Sequence, residues 1–298
     1  GRGLIRHIMT RSTTSGELMV VVVVTRADIP KADRLAELLR AVVPGLCSVC
    51  LSVNSRRTNV ILGTDIRVLW GKAAMEDTLC GLHFAVSPLS FFQVNPKQTE
   101  KLYGLALDYA GLTGNETVVD AYCGAGTISL LLAQKAKKVI GIEIVPEAIQ
   151  NANENAARNN IANAEFRVGA TEELLPQLVA DGLRPDVIVL DPPRKGCDPA
   201  VLQAIIAAAP KRVVYVSCGA PTLARDAKLL AEGGYAAEKV QCVDMFCWTG
   251  AVETVMCFSK ETYPRRSVKV EFPLEGLNVA QLQGSATYEQ IKAYVLEH

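Results

Sequence analysis

A cysteine and an acid in the second half of the chain have the surroundings expected of catalytic groups. Cys218 follows a hydrophobic run that ends in Ser217, and a helix is predicted to begin near Thr222. A helix N-terminus favours an ionised thiol, so we predict that Cys218 is a thiolate nucleophile. Glu253 stands at the start of an otherwise apolar strand, which makes it a candidate general base. A small buried cysteine and a capped strand end are the alternatives.

A glycine turn indicates a site for a nucleoside. A hydrophobic strand runs through Gly124 and Gly126 into a predicted helix, and glycines there let the backbone approach a ligand closely. Glu143 ends the next strand, where a carboxylate can accept both hydroxyls of an adenosine ribose. This pattern fits NAD or S-adenosylmethionine, although the third glycine of the dehydrogenase GxGxxG motif is absent. A structural glutamate at an exposed strand end is the alternative.

A second ligand-binding segment is Asp191-Pro192-Pro193-Arg194-Lys195-Gly196. Two consecutive prolines fix an extended turn, and this turn follows a predicted strand. Open α/β sheets bind their ligands at the carboxyl ends of strands, so we expect Asp191 to face the same site as Glu143. A turn that only ends the strand is the alternative.

Strands that alternate with helices must position these groups. Strands are predicted at residues 117–121, 138–143, 164–168, 186–190 and 212–217, with helices from about residues 127, 146, 171, 198 and 222. This rhythm predicts an α/β fold with a mostly parallel, Rossmann-like sheet. No long helix separates the last two strands, 235–243 and 251–258, so they are predicted to form an antiparallel hairpin at the sheet edge.

The pattern of predicted strands and helices changes on both sides of this α/β region. These changes predict three domains, at 1–82, 83–260 and 261–298. In the first, strands at 18–25, 48–54 and 59–62 and a helix at 31–43 predict a small α/β domain. The last is predicted to be an appended module that the chain end truncates. Because the chain starts at Gly1 without methionine, we expect it to be part of a longer protein.

Composition narrows the possible classes of protein. The chain has 298 residues and is 49% hydrophobic, which suits a packed core rather than disorder. Its longest strongly apolar run is Leu18–Val24, far shorter than the roughly 20 residues that span a bilayer, so we expect no membrane association. No secretory signal is recognisable, and we expect a cytoplasmic protein.

The cysteines and the net charge yield no further site. The nine cysteines are scattered, as reduced core thiols are. Cys47 and Cys50 form a CxxC without a second ligand pair at metal spacing, so no metal site is predicted. The formal net charge is zero, so the chain has no basic excess of the kind that marks nucleic-acid binding. A prediction of RNA binding must therefore rest on the chemistry of the site.

The motifs together resemble those of the RNA uracil-5-methyltransferases, and particularly the branch that acts on bacterial 23S ribosomal RNA. The resemblance runs from about residue 3 to 258. It rests on the motifs SFFQVN at 90–95, DAYCG at 120–124, DPPRKGC at 191–197, SC at 217–218 with TLARD at 222–226, and DMF at 244–246 with VE at 252–253.

The resemblance implies a Rossmann-like class I methyltransferase domain that uses S-adenosylmethionine. It implies RNA, most often 23S ribosomal RNA, as the partner, a small RNA-recognition domain at 1–82, and no obligate protein partner. Cys218 would be the nucleophile and Glu253 the base. The residues implied to bind the methyl donor are Gln93, Tyr122, Gly124, Glu143 and Asp191.

The chain departs from the family at several points. Gly219, Cys247 and Ala251 stand where family members usually have asparagine, proline and histidine. The RNA-binding β-barrel and cysteine-rich iron–sulfur segment that commonly begin family members are not recognisable here, so no iron–sulfur cluster is expected. A transfer-RNA uracil methyltransferase, a non-catalytic RNA-binding remnant and an NAD-dependent dehydrogenase stay open as alternatives.

Overall fold

The computed structural model describes residues 3–56 and 58–260, and these residues belong to one compact unit. Its strands are β1 (Ile5–Ser12), β2 (Leu18–Val24), β3 (Leu46–Val53), β4 (Asp65–Gly71), β5 (Met75–Leu79), β6 (Leu82–Val86), β7 (Thr117–Asp120), β8 (Lys138–Glu143), β9 (Ala164–Val168), β10 (Val187–Leu190), β11 (Arg212–Ser217), β12 (Tyr235–Val243) and β13 (Glu253–Lys260). Its helices are α1 (Ala32–Val42), α2 (Pro96–Ala110), α3 (Thr127–Ala133), α4 (Pro146–Arg158), α5 (Thr171–Ala180), α6 (Pro199–Ala208) and α7 (Ala220–Glu232).

The large sheet has seven strands in the order β12-β13-β11-β10-β7-β8-β9. The five strands from β11 to β9 are parallel, and β13 is antiparallel to both of its neighbours. The predicted Rossmann-like sheet and its antiparallel hairpin at the edge are therefore confirmed. Because β13 lies between β12 and β11, the start of β13 comes directly beside the end of β11.

Two apolar layers cover the faces of this sheet. Alternate residues of a strand point to opposite faces, and Val118 accordingly packs with helices α2, α3 and α4 while Val119 packs with α5, α6 and α7. Both valines are fully buried. This double cover holds the strand ends rigidly in place, and the loops that follow them carry the predicted site.

A four-stranded sheet, in the order β1-β2-β3-β4, forms the N-terminal part. The predicted strand at 59–62 is wrong. On the side of β3 that faces away from β2, the strand that pairs with it is β4. The side-chain amide of Asn54 donates to the carbonyl oxygens of Val60 and Ile61. These side-chain hydrogen bonds hold the segment as a loop and leave Val60 and Ile61 exposed.

A hairpin that the sequence analysis did not predict joins the N-terminal sheet to α2. Strands β5 and β6 pair from Met75–Val86 to Leu79–Leu82, and Cys80 and Gly81 form the turn with φ of 50° and 79°. Type I′ hairpin turns need positive φ at both central positions, which glycine tolerates and cysteine does not favour. The missing asparagine or aspartate before Gly81 explains why the turn was not recognised.

The predicted module at 261–298 lies outside the described residues, and the domain boundaries after residues 82 and 260 stay predictions. Within the part of the chain that the structure describes, no helix combines the length and apolar character needed to cross a membrane.

Candidate active site

A cavity of about 660 Å³ opens at the carboxyl ends of the parallel strands, a volume within the usual range for a small-molecule site. It is lined by all seven residues for which the sequence analysis predicted a role: Gln93, Tyr122, Gly124, Glu143, Asp191, Cys218 and Glu253. They come from loops that are far apart in sequence. The order of the strands in the sheet brings them together.

The loop between β7 and α3 forms the floor of the cavity. Its backbone turns sharply, with positive φ at Gly124 (52°) and Gly126 (82°). A Cβ at Gly126 would lie 3.1 Å from Ala152 and Phe166, whereas a Cβ at Gly124 would meet no atom of the described residues within 4 Å. Gly126 therefore permits close packing of α3, and Gly124 leaves its backbone open to a ligand.

Glu143 is fixed in orientation by two backbone amides. The Gly124 N–H donates to its Oε2 over 3.2 Å, and the Val145 N–H donates to its Oε1 over 3.0 Å. Each carboxylate oxygen accepts one of these bonds and keeps capacity for another. Glu143 can therefore accept the two hydroxyls of a ribose without reorganisation.

A buried acid lies at the start of the same loop. Asp120 has no solvent exposure, and the Ser129 hydroxyl donates to its Oδ2 over 2.6 Å. Its Oδ1 is buried without a hydrogen-bond partner among the described residues. Burial raises the pKa of Asp120 to about 6, although the bond from Ser129 opposes this shift. The hydrogen bond between Ser129 and Asp120 therefore links the first turn of α3 to the end of β7.

Asp191 lies at the end of β10, on the wall of the cavity. Burial raises its pKa to about 8, and the negative charges of Glu253 and Asp120 add to the shift. Most Asp191 side chains therefore carry a proton at neutral pH, and a protonated carboxyl can both donate and accept a hydrogen bond.

The turn after Asp191 is anchored by a buried acid in α7. Asp226 is completely buried and accepts hydrogen bonds from the Cys197 N–H at 2.8 Å and the Tyr215 hydroxyl at 2.6 Å. Arg225 pairs with Asp226 and also donates to the carbonyl oxygens of Lys195 and Cys197 at 3.1 Å each. Hydrogen bonds to Arg225 and Asp226 thus hold the turn after Asp191 against α7, the helix that follows Cys218.

Cys218 stands between β11 and α7 and is partly exposed to the cavity. Burial raises the pKa of its thiol, and the charges of Glu253 and Asp191 raise it further. This direction is opposite to the one that the helix N-terminus alone would give, and the role of Cys218 as a thiolate nucleophile stays a prediction. Two acids and the loss of water outweigh the partial positive charge at the start of the helix.

Glu253 begins β13 and is only 5% exposed. The ladder between β11 and β13 pairs Ser217 with Thr254, so Glu253 and Cys218 occupy the next positions of the two strands. Burial raises the pKa of Glu253, and the positive charge of Arg194 partly opposes the shift. A carboxylate with a raised pKa is a stronger base than an exposed one.

Gln93 approaches the cavity from the segment before α2. This segment is held by Asn95, whose side chain accepts the Gln98 N–H at 3.3 Å and donates to the Met245 carbonyl oxygen at 3.2 Å. Asn95 therefore links the Gln93 segment to the loop between β12 and β13. Tyr122, in the loop after β7, lies on the cavity wall.

Further residues line the cavity for which the sequence analysis assigned no role. Arg194 is the basic side chain whose charge favours the ionised forms of both Glu253 and Cys218. Arg194 belongs to the segment Asp191–Gly196, so this motif could have indicated Arg194 as a site residue from the sequence alone. Phe246 and Thr171 also line the cavity, and the Thr171 hydroxyl donates to the Ala121 carbonyl oxygen.

Comparisons with known proteins agree with this geometry. The family model described as tRNA (uracil-5-)-methyltransferase matches residues 7–261. An RNA methyltransferase of Listeria innocua, described as uncharacterized, is 53% identical over 257 residues, which cover 86% of this chain and 56% of that protein. One of Halalkalibacterium halodurans, described in the same way, is 51% identical over 255 residues, covering 85% and 56%. The chain thus spans little more than half the length of these relatives.

Solved structures also match. The Pyrococcus abyssi tRNA (uracil-54, C5)-methyltransferase, solved in complex with S-adenosyl-L-homocysteine, has a TM-score of 0.73 and 29% identity; the match covers 86% of this chain and 60% of that one. The Methanocaldococcus jannaschii tRNA m1G37 methyltransferase has a TM-score of 0.54 and 14% identity, with coverage of 87% and 74%. The second likeness concerns the fold alone.

Proposed function

We propose that this chain, which belongs to the tRNA (uracil-5-)-methyltransferase family, transfers a methyl group from S-adenosylmethionine to carbon 5 of a uracil in RNA. One observation carries the proposal. A thiol, a buried acid and a carboxylate fixed for ribose binding line a single cavity. That combination supplies a nucleophile, a base and a donor site for one reaction.

The residues at the floor of the cavity fit the methyl donor. The open backbone at Gly124 and the oriented carboxylate of Glu143 suit an adenosine. Gln93, Tyr122 and Asp191 complete the donor site in this proposal. When bound, the donor supplies an electrophilic methyl group on a sulfonium. The protein residues bind and orient it toward the side of the cavity that holds Cys218.

Cys218 has to activate the uracil, because carbon 5 of the ring is too weakly nucleophilic to take the methyl group unaided. In the proposed reaction the Cys218 thiolate adds to carbon 6, and the electron pair of the C5–C6 bond moves into an enolate. Carbon 5 then uses this electron pair to form its bond to the methyl group, the bond between that methyl group and the sulfonium sulfur breaks, and S-adenosylhomocysteine is the leaving group. Glu253 removes the proton from carbon 5, the C5–C6 double bond is restored, and Cys218 leaves as a thiolate.

The electrostatics of the cavity determine when Cys218 can attack. Ionised Glu253 and Asp191 both disfavour the thiolate, but Asp191, with a pKa of about 8, is mostly neutral at pH 7. Arg194 supplies the opposing positive charge. At neutral pH the thiolate of Cys218 is therefore a minor form, and it is this form that adds to the ring.

The substrate we propose is a uridine of 23S ribosomal RNA, modified in the cytoplasm. The motifs that resemble the ribosomal branch favour it. Transfer RNA is the second candidate, and the structural likeness to a tRNA (uracil-54, C5)-methyltransferase favours that one. Both candidates would use the same cavity and the same chemistry.

A methylation assay tests the proposal. The protein is incubated with labelled S-adenosylmethionine and unmodified transcripts of 23S ribosomal RNA and of transfer RNA, and the nucleosides are identified by mass spectrometry. We expect 5-methyluridine, at one position and in ribosomal RNA. Label in transfer RNA alone would establish the second candidate. Label on a base nitrogen, or none in either RNA, would contradict the proposal.

A further inference from the structure

Trp248 is fully exposed, with a relative accessibility of 104%. It lies in the loop of residues 244–252 between β12 and β13, which we call the β12–β13 loop. A large aromatic side chain that is fully exposed loses the benefit of burial, and tryptophan is enriched at interaction interfaces. No role for Trp248 follows from the residues that line the cavity.

The backbone at Trp248 is also unfavourable for its residue type. The Thr249 N–H and hydroxyl both donate to the Phe246 carbonyl oxygen, at 3.1 and 2.7 Å, and so close a turn. Trp248 is the third residue of this turn and has a φ of 67°. A positive φ at that position favours glycine or asparagine. A tryptophan held there by a closed turn is a local conflict of the kind that concentrates at functional sites.

The β12–β13 loop is part of the cavity wall. Phe246, two residues before Trp248, lines the cavity, and Glu253 follows directly after the loop. The loop is held in place because Asn95 donates to the Met245 carbonyl oxygen at 3.2 Å and Met245 is buried. Trp248 therefore stands beside the cavity on a fixed support, with both faces of the indole ring open.

We propose that Trp248 is a stacking platform for a nucleobase next to the target uracil. The inference rests on the proposed RNA substrate. A uracil can enter the cavity only when it leaves its base stack, so a neighbouring base loses a stacking partner. Exposed aromatic side chains replace such partners in proteins that bind unpaired RNA. The flat, unpacked indole of Trp248 offers that surface at the place where the neighbouring base emerges.

Fluorescence gives a direct test, because the chain has two tryptophans. Trp70 lies under the Arg40 guanidinium, 4.4 Å from the ring centroid, in the N-terminal sheet. Trp70→Phe leaves Trp248 as the emitter, and Trp248→Phe leaves Trp70. Titration with an unstructured eight-nucleotide RNA that contains uridine flanked by adenosines should quench Trp70→Phe and leave the emission of Trp248→Phe unchanged. Quenching in Trp248→Phe alone would overturn the proposal.

Substitutions at the same position separate stacking from folding. Trp248→Gly suits the positive φ, so its melting temperature should equal or exceed that of the wild type. Its affinity for the eight-nucleotide RNA should nevertheless fall about 5- to 150-fold, the range for loss of one stacked base. Trp248→Leu should fall similarly, and Trp248→Phe should keep most of the affinity. Gln177→Ala, at an exposed uncharged position in α5 outside the first domain, is the control and should bind as the wild type does.

Wild-type affinity in Trp248→Gly and Trp248→Leu would contradict the proposal and point to a protein partner for this side chain. The two proposals can fail separately. If the wild type methylates uridine and Trp248→Gly is unaffected, the stacking role is wrong and the function stands. If Trp70→Phe is quenched by RNA but the wild type methylates no uridine, the RNA contact stands and the proposed function is wrong.

Discussion

Cys218 and Glu253 lie one position beyond the same rung of the β11–β13 ladder, in which Ser217 is paired with Thr254. Cys218 is the first residue after β11, and Glu253 is the first residue of β13. The insertion of β13 beside β11 therefore sets the spacing between the proposed nucleophile and the proposed base. Neither group depends on a long, flexible loop for its position.

Donor binding should depend on the carboxylate of Glu143. Its two oxygens are oriented by the Gly124 and Val145 amides, and hydrogen bonds to a charged group contribute about 1.5 to 3 kcal/mol. Glu143→Ala should therefore weaken binding of S-adenosylhomocysteine about 10- to 100-fold in calorimetry. Glu147→Ala, at an exposed position in the first turn of α4, should bind normally. Equal affinity in both variants would remove Glu143 from the donor site.

Thermal unfolding should reveal the raised pKa of Asp191. In the folded protein this carboxyl keeps its proton up to about pH 8, whereas in the unfolded chain it loses the proton near pH 4. Between these values the folded state binds the additional proton, so its stability falls as pH rises. From pH 5 to 8.5 the melting temperature of the wild type should fall more steeply than that of Asp191→Asn.

The control for that experiment is Asp181→Asn, at the exposed C-terminal end of α5. It should retain the pH dependence of the wild type. Parallel curves for the wild type and Asp191→Asn would mean that Asp191 is ionised at neutral pH, and the electrostatic account of the cavity would need revision.

The sequence predicted the order of the central elements and the site-bearing loops well. Strand Lys138–Glu143 is predicted with its observed bounds, because a short apolar run rich in β-branched residues between two helices is typical of a buried parallel strand. As predicted, Glu143 ends β8, Asp191 directly follows β10, and Gly124 lies in the loop between β7 and α3.

The pKa of the Cys218 thiol could not be predicted in the same way. Its direction depends on Glu253 and Asp191, which reach the cavity from other strands. Local sequence contains only the helix N-terminus, which favours the thiolate. The strand predicted at 59–62 failed for a similar reason, because the amide of Asn54 captures the carbonyl oxygens that a neighbouring strand would need.

The anchor under the Asp191 turn should make a large contribution to stability. Asp226→Ala would leave the Cys197 N–H and the Tyr215 hydroxyl buried without their acceptor. The free energy of unfolding in urea should fall by about 3 to 5 kcal/mol, as it does when one partner of a buried charged network is removed. Tyr215→Phe removes a single bond to Asp226 and should lose about 1 to 2 kcal/mol. A loss below about 1 kcal/mol in Asp226→Ala would contradict the anchoring role.

The rate of attack by Cys218 should increase with pH. Because burial and two acids raise the pKa of the thiol, the reactive thiolate is a minor form at pH 7. The rate of adduct formation with RNA should therefore rise between pH 7 and 9 and should not level off below about pH 8.5, the ordinary pKa of a cysteine. A stopped-flow or quenched time course at each pH measures it. A plateau below pH 7 would indicate an activated thiolate instead.

Covalent trapping tests the central claim, which is that Cys218 forms a bond with the uracil ring. RNA with 5-fluorouracil at the target position carries fluorine in place of the proton that Glu253 is proposed to remove, so the reaction should stop at the adduct. With S-adenosylmethionine present, the wild type should form a protein–RNA band that survives denaturation. Cys218→Ser should form none, because an alcohol is hardly ionised at neutral pH. Cys257→Ser, at a buried thiol in β13, should still be trapped.

Glu253→Gln provides the complementary result on normal uracil. It should permit attack and methyl transfer but not loss of the proton, so a methylated protein–RNA adduct should accumulate. A denatured gel and mass spectrometry of the adduct peptide then identify the residue that holds the RNA. The account predicts that the peptide contains Cys218. Full methylation activity in Cys218→Ser, or an adduct on another residue, would contradict it.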